Sequence, residues 1–164
     1  MAEDARAAVL TVLYREHALG LTRLAYVMLG NRAAAEDVVH EAFLGLHRRW
    51  QQLSQPQKPL PYLRSSVLNG CRSVHRAAAR PLRATHEPPA ASAESIVLTE
   101  EEHRQVMVAV RRLPRRQREV VVLRYYLGLS DTEIAGDMGI SPGTVRSAAH
   151  RALGALGVEL KETS

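Results

Sequence analysis

Residues 130–153 read SDTEIAGDMGISPGTVRSAAHRAL, a stretch that encodes two helices meeting at a sharp turn. Ser130 can cap a first helix, and Glu133, three residues on, completes a capping box. Ile134, Ala135 and Met138 give that helix an apolar face. Gly139 stands where a helix has to end in a left-handed conformation, which costs glycine little. Ile140 can plug the turn. Ser141 then caps a second helix, and Pro142 takes its first position, where a missing N–H is no loss. Val145, Ala149, Ala152 and Leu156 share the inner face of this second helix. Thr144, Arg146, Ser147, His150 and Arg151 are left for the outer face. The layout is that of a helix-turn-helix, and the outer residues suit the base edges and phosphates of a major groove.

Charge extends the argument to the rest of the chain. The 164 residues carry a formal net charge of +5, which makes a polyanionic partner plausible. The distribution says more than the total. From Ala42 to His86 there is no acid, yet there are eight bases: Arg48, Arg49, Lys58, Arg64, Arg72, Arg76, Arg80 and Arg83. Residues 87–102 reverse this with five glutamates and no base, and Arg104 to Arg124 is basic again. Two basic blocks separated by an acidic stretch point to two nucleic-acid-facing modules and a segment between them that avoids DNA.

Hydrophobic spacing gives the organisation. Leu10, Leu13, His17, Leu21, Leu24 and Met28 recur at helical intervals over residues 5–29. Gly30 and Asn31 supply a stop and a fresh cap. A helix from Arg32 to Gln51 follows, with Ala35, Val38, Val39, Ala42, Phe43, Leu46 and Trp50 as its apolar stripe. QQLSQPQKPLP is a loop, and Pro61 can start a third helix with Tyr62, Leu63, Val67, Cys71 and Val74 inside. Arg64, Asn69, Arg72, Ser73, Arg76 and Arg80 then fall on its other faces. THEPPAASAES reads as a linker. Helical spacing resumes from Ile96 to Leu113, and Pro114 restarts a helix that ends at Gly128. With no strand pattern and no repeat, the fold class is all-α. Two small helical domains, 1–82 and 97–160, are joined by a flexible linker at 83–96, the second containing the helix-turn-helix.

Several function classes drop out. There is no Gly-rich phosphate loop, GxSxG or HExxH, so no catalytic residue, enzyme activity or cofactor is expected. Cys71 and His75 are i, i+4 neighbours, too few for a structural zinc site, so no metal is expected. One cysteine excludes an internal disulfide framework and fits a reducing cytoplasm. No apolar run has the length of a membrane span, and the acidic start is unlike a signal peptide.

RAAAEDVVHEAFLGLHRRW with PLPYLRSSVLNGCRSVHRAAAR resembles region 2, the promoter-melting domain of bacterial sigma factors. LPRRQREVVVLRYYLGLSDTEIAGDMGISPGTVRSAAHRAL resembles their region 4. The pair, in this order and over this length, is similar to the extracytoplasmic-function (ECF) group of the sigma-70 family, most of all its actinobacterial SigE-like subfamily. The resemblance implies a protein that binds core RNA polymerase, at the β′ clamp helices and the β flap, and directs promoter-specific initiation. Asp37, His40, Phe43 and Trp50 match the polymerase-docking positions, with His40 departing from the family's usual glutamine. The loop from Gln51 to Leu60 matches the one that captures a base flipped out of the minus-10 element. It offers no aromatic side chain, and which base it takes stays open. Asn69, Arg72, Ser73 and Arg76 match the helix lying along minus-10 DNA. In region 4, Thr144, Arg146, Ser147, His150 and Arg151 match the minus-35 reading helix, with Arg146 foremost. Ala148 and Ala149 replace larger family residues and suggest closer approach or contact with a thymine methyl. Arg115, Arg116 and Arg118 either touch phosphates or only solvate the surface. A free monomer and a cytoplasmic location are expected; an anti-sigma partner is common in the family, and whether this chain has one stays open.

A second reading exists. The C-terminal half also resembles the DNA-binding domain of LuxR-type transcription regulators. Such a protein would carry a strand-containing sensor or phosphoacceptor domain, where residues 1–82 show helices and basic charge. An inhibitor of polymerase is a third, weaker class.

Overall fold

The computed structural model describes residues 1–52, 59–78 and 101–163. The chain forms two compact units, Met1–Ala90 and Ala91–Ser164. Every element among the described residues is helical. The expected linker at 83–96, the helix start at Ile96 and most of the Gln51–Leu60 loop lie outside the described residues.

The described residues of unit 1 form three helices. α1 (Ala2–Leu29) stops where Gly30 turns left-handed at φ 69° and donates its N–H to Tyr26 O at 2.7 Å. Asn31 then caps α2 (Arg32–Arg49), its side chain accepting from Ala34 N–H at 3.0 Å. α3 spans Pro59–Ala78, so it begins before Pro61, where the sequence expectation placed its start. Both prolines fall in the first turn, whose N–H groups have no intrahelical acceptor. Leu24 and Met28 from α1, Leu46 from α2, and Leu63, Val67, Leu68 and Cys71 from α3 are almost fully buried. Close packing of α2 on α3 depends on two glycines. A Cβ on Gly70 would stand 2.7 Å from Val38 Cγ1, and one on Gly45 would stand 3.3 Å from the Tyr62 hydroxyl. These two pairings run in opposite order along the chain, so α2 and α3 are antiparallel. The first half of α1 is covered less: Val9 and Val12 are exposed.

The described residues of unit 2 form four α-helices and a π-helical turn. α4 (Glu101–Arg112) and α5 (Arg115–Val121) are separated by Pro114, which cannot continue the ladder. α5 runs into a π-helical turn, Val122–Tyr126, closed by Leu127 N–H to Val122 O at 3.2 Å. Gly128 at φ 66° ends it. Ser130 and Glu133 form the complete capping box of α6 (Asp131–Met138). Gly139, at φ 69°, ends α6, and α7 (Pro142–Thr163) follows from its Ser141 cap. Ile134 and Val145, facing each other's helices across the turn, are both fully buried. Each such aliphatic side chain contributes about 1.5–3 kcal/mol of burial.

Candidate nucleic-acid and protein-docking surfaces

α7 separates its side chains sharply. Val145, Ala148, Ala149, Ala152 and Leu156 are buried, while Arg146, Ser147, His150 and Arg151 are exposed on the other side. The Arg146 guanidinium lies back along the helix toward its start, 3.9 Å from where a Cβ on Gly143 would stand. Thr144 differs from the sequence expectation. It is half-buried, its N–H donates to Ser141 Oγ at 3.1 Å, and its hydroxyl lies 2.8 Å from the same oxygen. It serves the cap rather than the outer face. Ala148 and Ala149 also need correction: both lie in the core, so neither offers a methyl to thymine. Their small size lets α7 close against α5 and α4 instead.

The arginines before α5 divide. Arg115 and Arg116 are exposed. Arg118 is turned inward, donating to the carbonyls of Arg111 and Leu113, the latter at 3.1 Å. It satisfies carbonyls at the end of α4 and is neither a phosphate ligand nor a solvated surface charge. Burial, with Arg111 and Arg115 close by, lowers its pKa from the usual value, though an arginine stays protonated near neutral pH.

On α3, Asn69 and Ser73 are exposed and tie down two arginines. Arg72 Nη1 donates to Asn69 Oδ1 at 2.9 Å, and Arg76 Nη2 to Ser73 Oγ at 3.1 Å. The four candidate minus-10 residues therefore form one surface of two i, i+3 pairs. Arg64 is not on it: only 8% exposed, it lies inside. Both α1 and α2 cover α3, so the buried arc is wider than the apolar stripe alone indicates. Lys58, Arg80 and Arg83 lie outside the described residues.

α2 splits the docking set. Asp37 and His40 are exposed. Phe43 is buried at 8% and makes an edge-to-face contact with Tyr14 of α1, ring centroids 5.1 Å apart. It is a core residue and presents nothing to a partner. Trp50 is half-buried and lines a cleft with the first turns of α1, roughly on the far side of α2 from Asp37 by helical phase. The apolar residue on the Asp37–His40 face is Leu44, 40% exposed. Its signal was present in the sequence, since Leu44 falls outside the periodic stripe. Glu41 and Arg48 pair along this face at 3.5 Å. A groove between α2 and α3 is bordered by both Asp37 and Asn69, so the two candidate sets of unit 1 adjoin. Among the described residues no cluster of His, Cys, Asp and Glu could hold a metal, and no helix is long and apolar enough to cross a membrane.

Residues 13–81 match the family model for Sigma-70 region 2, and residues 103–156 match that for Sigma-70, region 4. The ECF RNA polymerase sigma factor SigL of Mycobacterium tuberculosis is 32% identical over 177 residues, covering 98% of this chain and 94% of that protein. The chain belongs to the ECF sigma factors. Another actinobacterial relative, the RNA polymerase sigma-E factor of Streptomyces antibioticus, is 32% identical over 127 residues, covering 77% of this chain and 71% of that one. The fold agrees with two solved structures, each 22% identical. CnrH, solved with the cytosolic domain of CnrY, superposes with a TM-score of 0.74 over 99% of this chain and 96% of its own. The sigma factor RpoE, solved with the anti-sigma factor NepR from Bartonella quintana, gives 0.72 over 97% and 98%. This sigma factor thus directs transcription initiation. The LuxR-type reading fails on the first half of the chain, which is a region 2 and not a sensor domain.

Proposed function

We propose that the two units divide promoter recognition. Residues 1–82 act as region 2, docking on core RNA polymerase and opening the minus-10 element. Residues 97–160 act as region 4 and read the minus-35 element, and 83–96 links them. The observation that carries this reading is the sorting of the first turns of α7, with Arg146, Ser147, His150 and Arg151 outside and Val145, Ala148, Ala149 and Ala152 inside. An exposed face of that composition on the second helix of a helix-turn-helix fits a major groove. Asn69, Arg72, Ser73 and Arg76 lie along minus-10 DNA, with Arg72 and Arg76 exchanging their internal hydrogen bonds for phosphates. Asp37, His40 and Leu44 face the polymerase clamp, and unit 2 meets the flap. The Gln51–Leu60 loop holds the flipped base. The factor works in the cytoplasm, catalyses no reaction itself, is a monomer when free, and is restrained by an anti-sigma protein.

Run-off transcription with core polymerase, on the promoter upstream of the protein's own gene, tests the reading. Arg146→Ala and His150→Ala should each weaken minus-35 use by about 1–3 kcal/mol without altering the thermal unfolding of unit 2. Tight, sequence-specific DNA binding without any association with core polymerase would sink it.

A further inference from the structure

The outer face of α2 distributes its charges unevenly. Glu36 is held by Arg32 Nε at 2.8 Å, and Glu41 by Arg48 at 3.5 Å. Asp37 has no ion pair or hydrogen bond among the described residues. Three residues on stands His40, and His47 follows two turns later, both exposed. Side chains at i, i+3 and i, i+4 are neighbours on a helix. The two imidazoles therefore bracket Leu44, the exposed apolar residue of this face, and His40 adjoins the Asp37 carboxylate. His47 has no acid within a turn of it on α2. The flanks add little charge. α1 turns back into α2 at Gly30–Asn31, so His40, three residues before Phe43, is level with His17, three residues after Tyr14. His17 Nε2 there lies 3.7 Å from Glu16 Oε2. On the other flank, α3 borders Asp37 and Glu41 with Tyr62, Ser66 and Asn69 and brings no ionised group to that groove.

We infer that this face is a proton-sensitive docking surface, on which proton uptake by His40 releases core RNA polymerase. The inference rests on the reading that Asp37, His40 and Leu44 face the polymerase, and it adds the regulation of that site. Three effects act with the same sign. A neutral imidazole is covered together with Leu44 at little cost, whereas an imidazolium has to be desolvated as a charge. An imidazolium at His40 also takes the Asp37 carboxylate as its own partner, and that carboxylate is then lost to the polymerase. Finally, the one unpaired charge from Arg32 to Arg48 is negative, so a complementary partner presents a cation there, which a second cation repels. The proton is thus held by the free chain and excluded from the complex. Affinity is complete above the imidazole range and is lost as pH falls through it, from about pH 8 to about pH 5.

The test compares pH profiles, because core polymerase carries titrating groups of its own. Binding of the fluorescently labelled full chain to core polymerase is measured at about pH 7.5 and about pH 6.0, on either side of the imidazole range's centre. Over that interval wild type should lose affinity by a factor roughly four times that lost by His40→Gln, the size that excluding one imidazole proton gives. Asp37→Asn should flatten the profile in part, since the captured carboxylate is gone. His47→Gln should flatten it less than His40→Gln does. Thermal unfolding of the full chain should be the same for wild type and His40→Gln at both pH values, which separates docking from folding. Equal losses for wild type and His40→Gln would overturn the inference. So would a wild type that binds more tightly at the lower pH, or a loss abolished by His47→Gln and untouched by His40→Gln. If wild type does not bind core polymerase at the higher pH, the docking reading itself fails, and this inference with it.

Discussion

The turn between α6 and α7 in unit 2 is set by local punctuation, whereas the α2–α3 pair of unit 1 depends on close contact between distant positions. In unit 2 the chain turns at a capping box, two left-handed glycines and a proline-started helix, each spanning a few residues. In unit 1 the α2–α3 pair depends on Gly70 meeting Val38 and Gly45 meeting Tyr62. Those partners are far apart in sequence and carry no signature of their own. Local rules therefore locate the ends of helices well, but they do not say which side of a helix will be covered.

The sharpest way to break the comparison is in the unit 2 core. Val145 is fully buried, and Val145→Asp places an unpaired charge where no cap or turn can compensate. It should cost about 3–5 kcal/mol. Hydrogen exchange should show protection lost throughout α5, α6 and α7. Next is Arg118→Met, which leaves the carbonyls of Arg111 and Leu113 without their donor. A loss of about 1.5–3 kcal/mol in urea unfolding is expected. A smaller change would mean that water replaces the guanidinium.

Unit 1 should respond to volume instead. Gly70→Ala gains helix propensity of about 1 kcal/mol but forces a contact of 2.7 Å on a stiff, β-branched Val38. Overpacking should win, leaving a net loss of about 1–2 kcal/mol. Val38→Ala in the same chain should recover part of it, and additivity of the two changes would show that α2 and α3 shift apart freely. The smallest effects belong to two neighbouring glycines of unit 2. Gly136 lies within α6 with open space where a Cβ would stand, so Gly136→Ala should stabilise by about 0.8 kcal/mol. Gly139, at φ 69°, should lose about 1 kcal/mol on the same change. Equal responses would mean that the turn does not need its left-handed residue.

The same contrast explains what the sequence disclosed. The cap at Ser130, the stop at Gly139, the start at Pro142 and most of the inner and outer faces of α7 were legible, because each depends on residues a turn or two away; Thr144, which turned out to serve the cap, was not. Phe43, Arg64, Arg118 and Ala148 were not. Their positions depend on how wide an arc the neighbouring helices cover, and periodicity gives the centre of a buried face but not its edges. Trp50 shows the other side of this limit. Its place in the apolar stripe was right, but the stripe could not say that α1 would leave a cleft beside it. Leu44 was the reverse case, a leucine whose exposure followed from being out of phase.

The π-helical turn at Val122–Tyr126 has a consequence for how this chain can vary in length. A π turn holds one residue more than the α turn it replaces, and here the surplus is spent where Tyr125 and Tyr126 are both exposed. Excision of either tyrosine would let α5 run on as an ordinary helix to Gly128, with Val122 and Leu123 still in the core. Among related chains, this is the point in unit 2 where a single-codon deletion or insertion should be found, while the spacing from Ser130 to Val145 stays fixed.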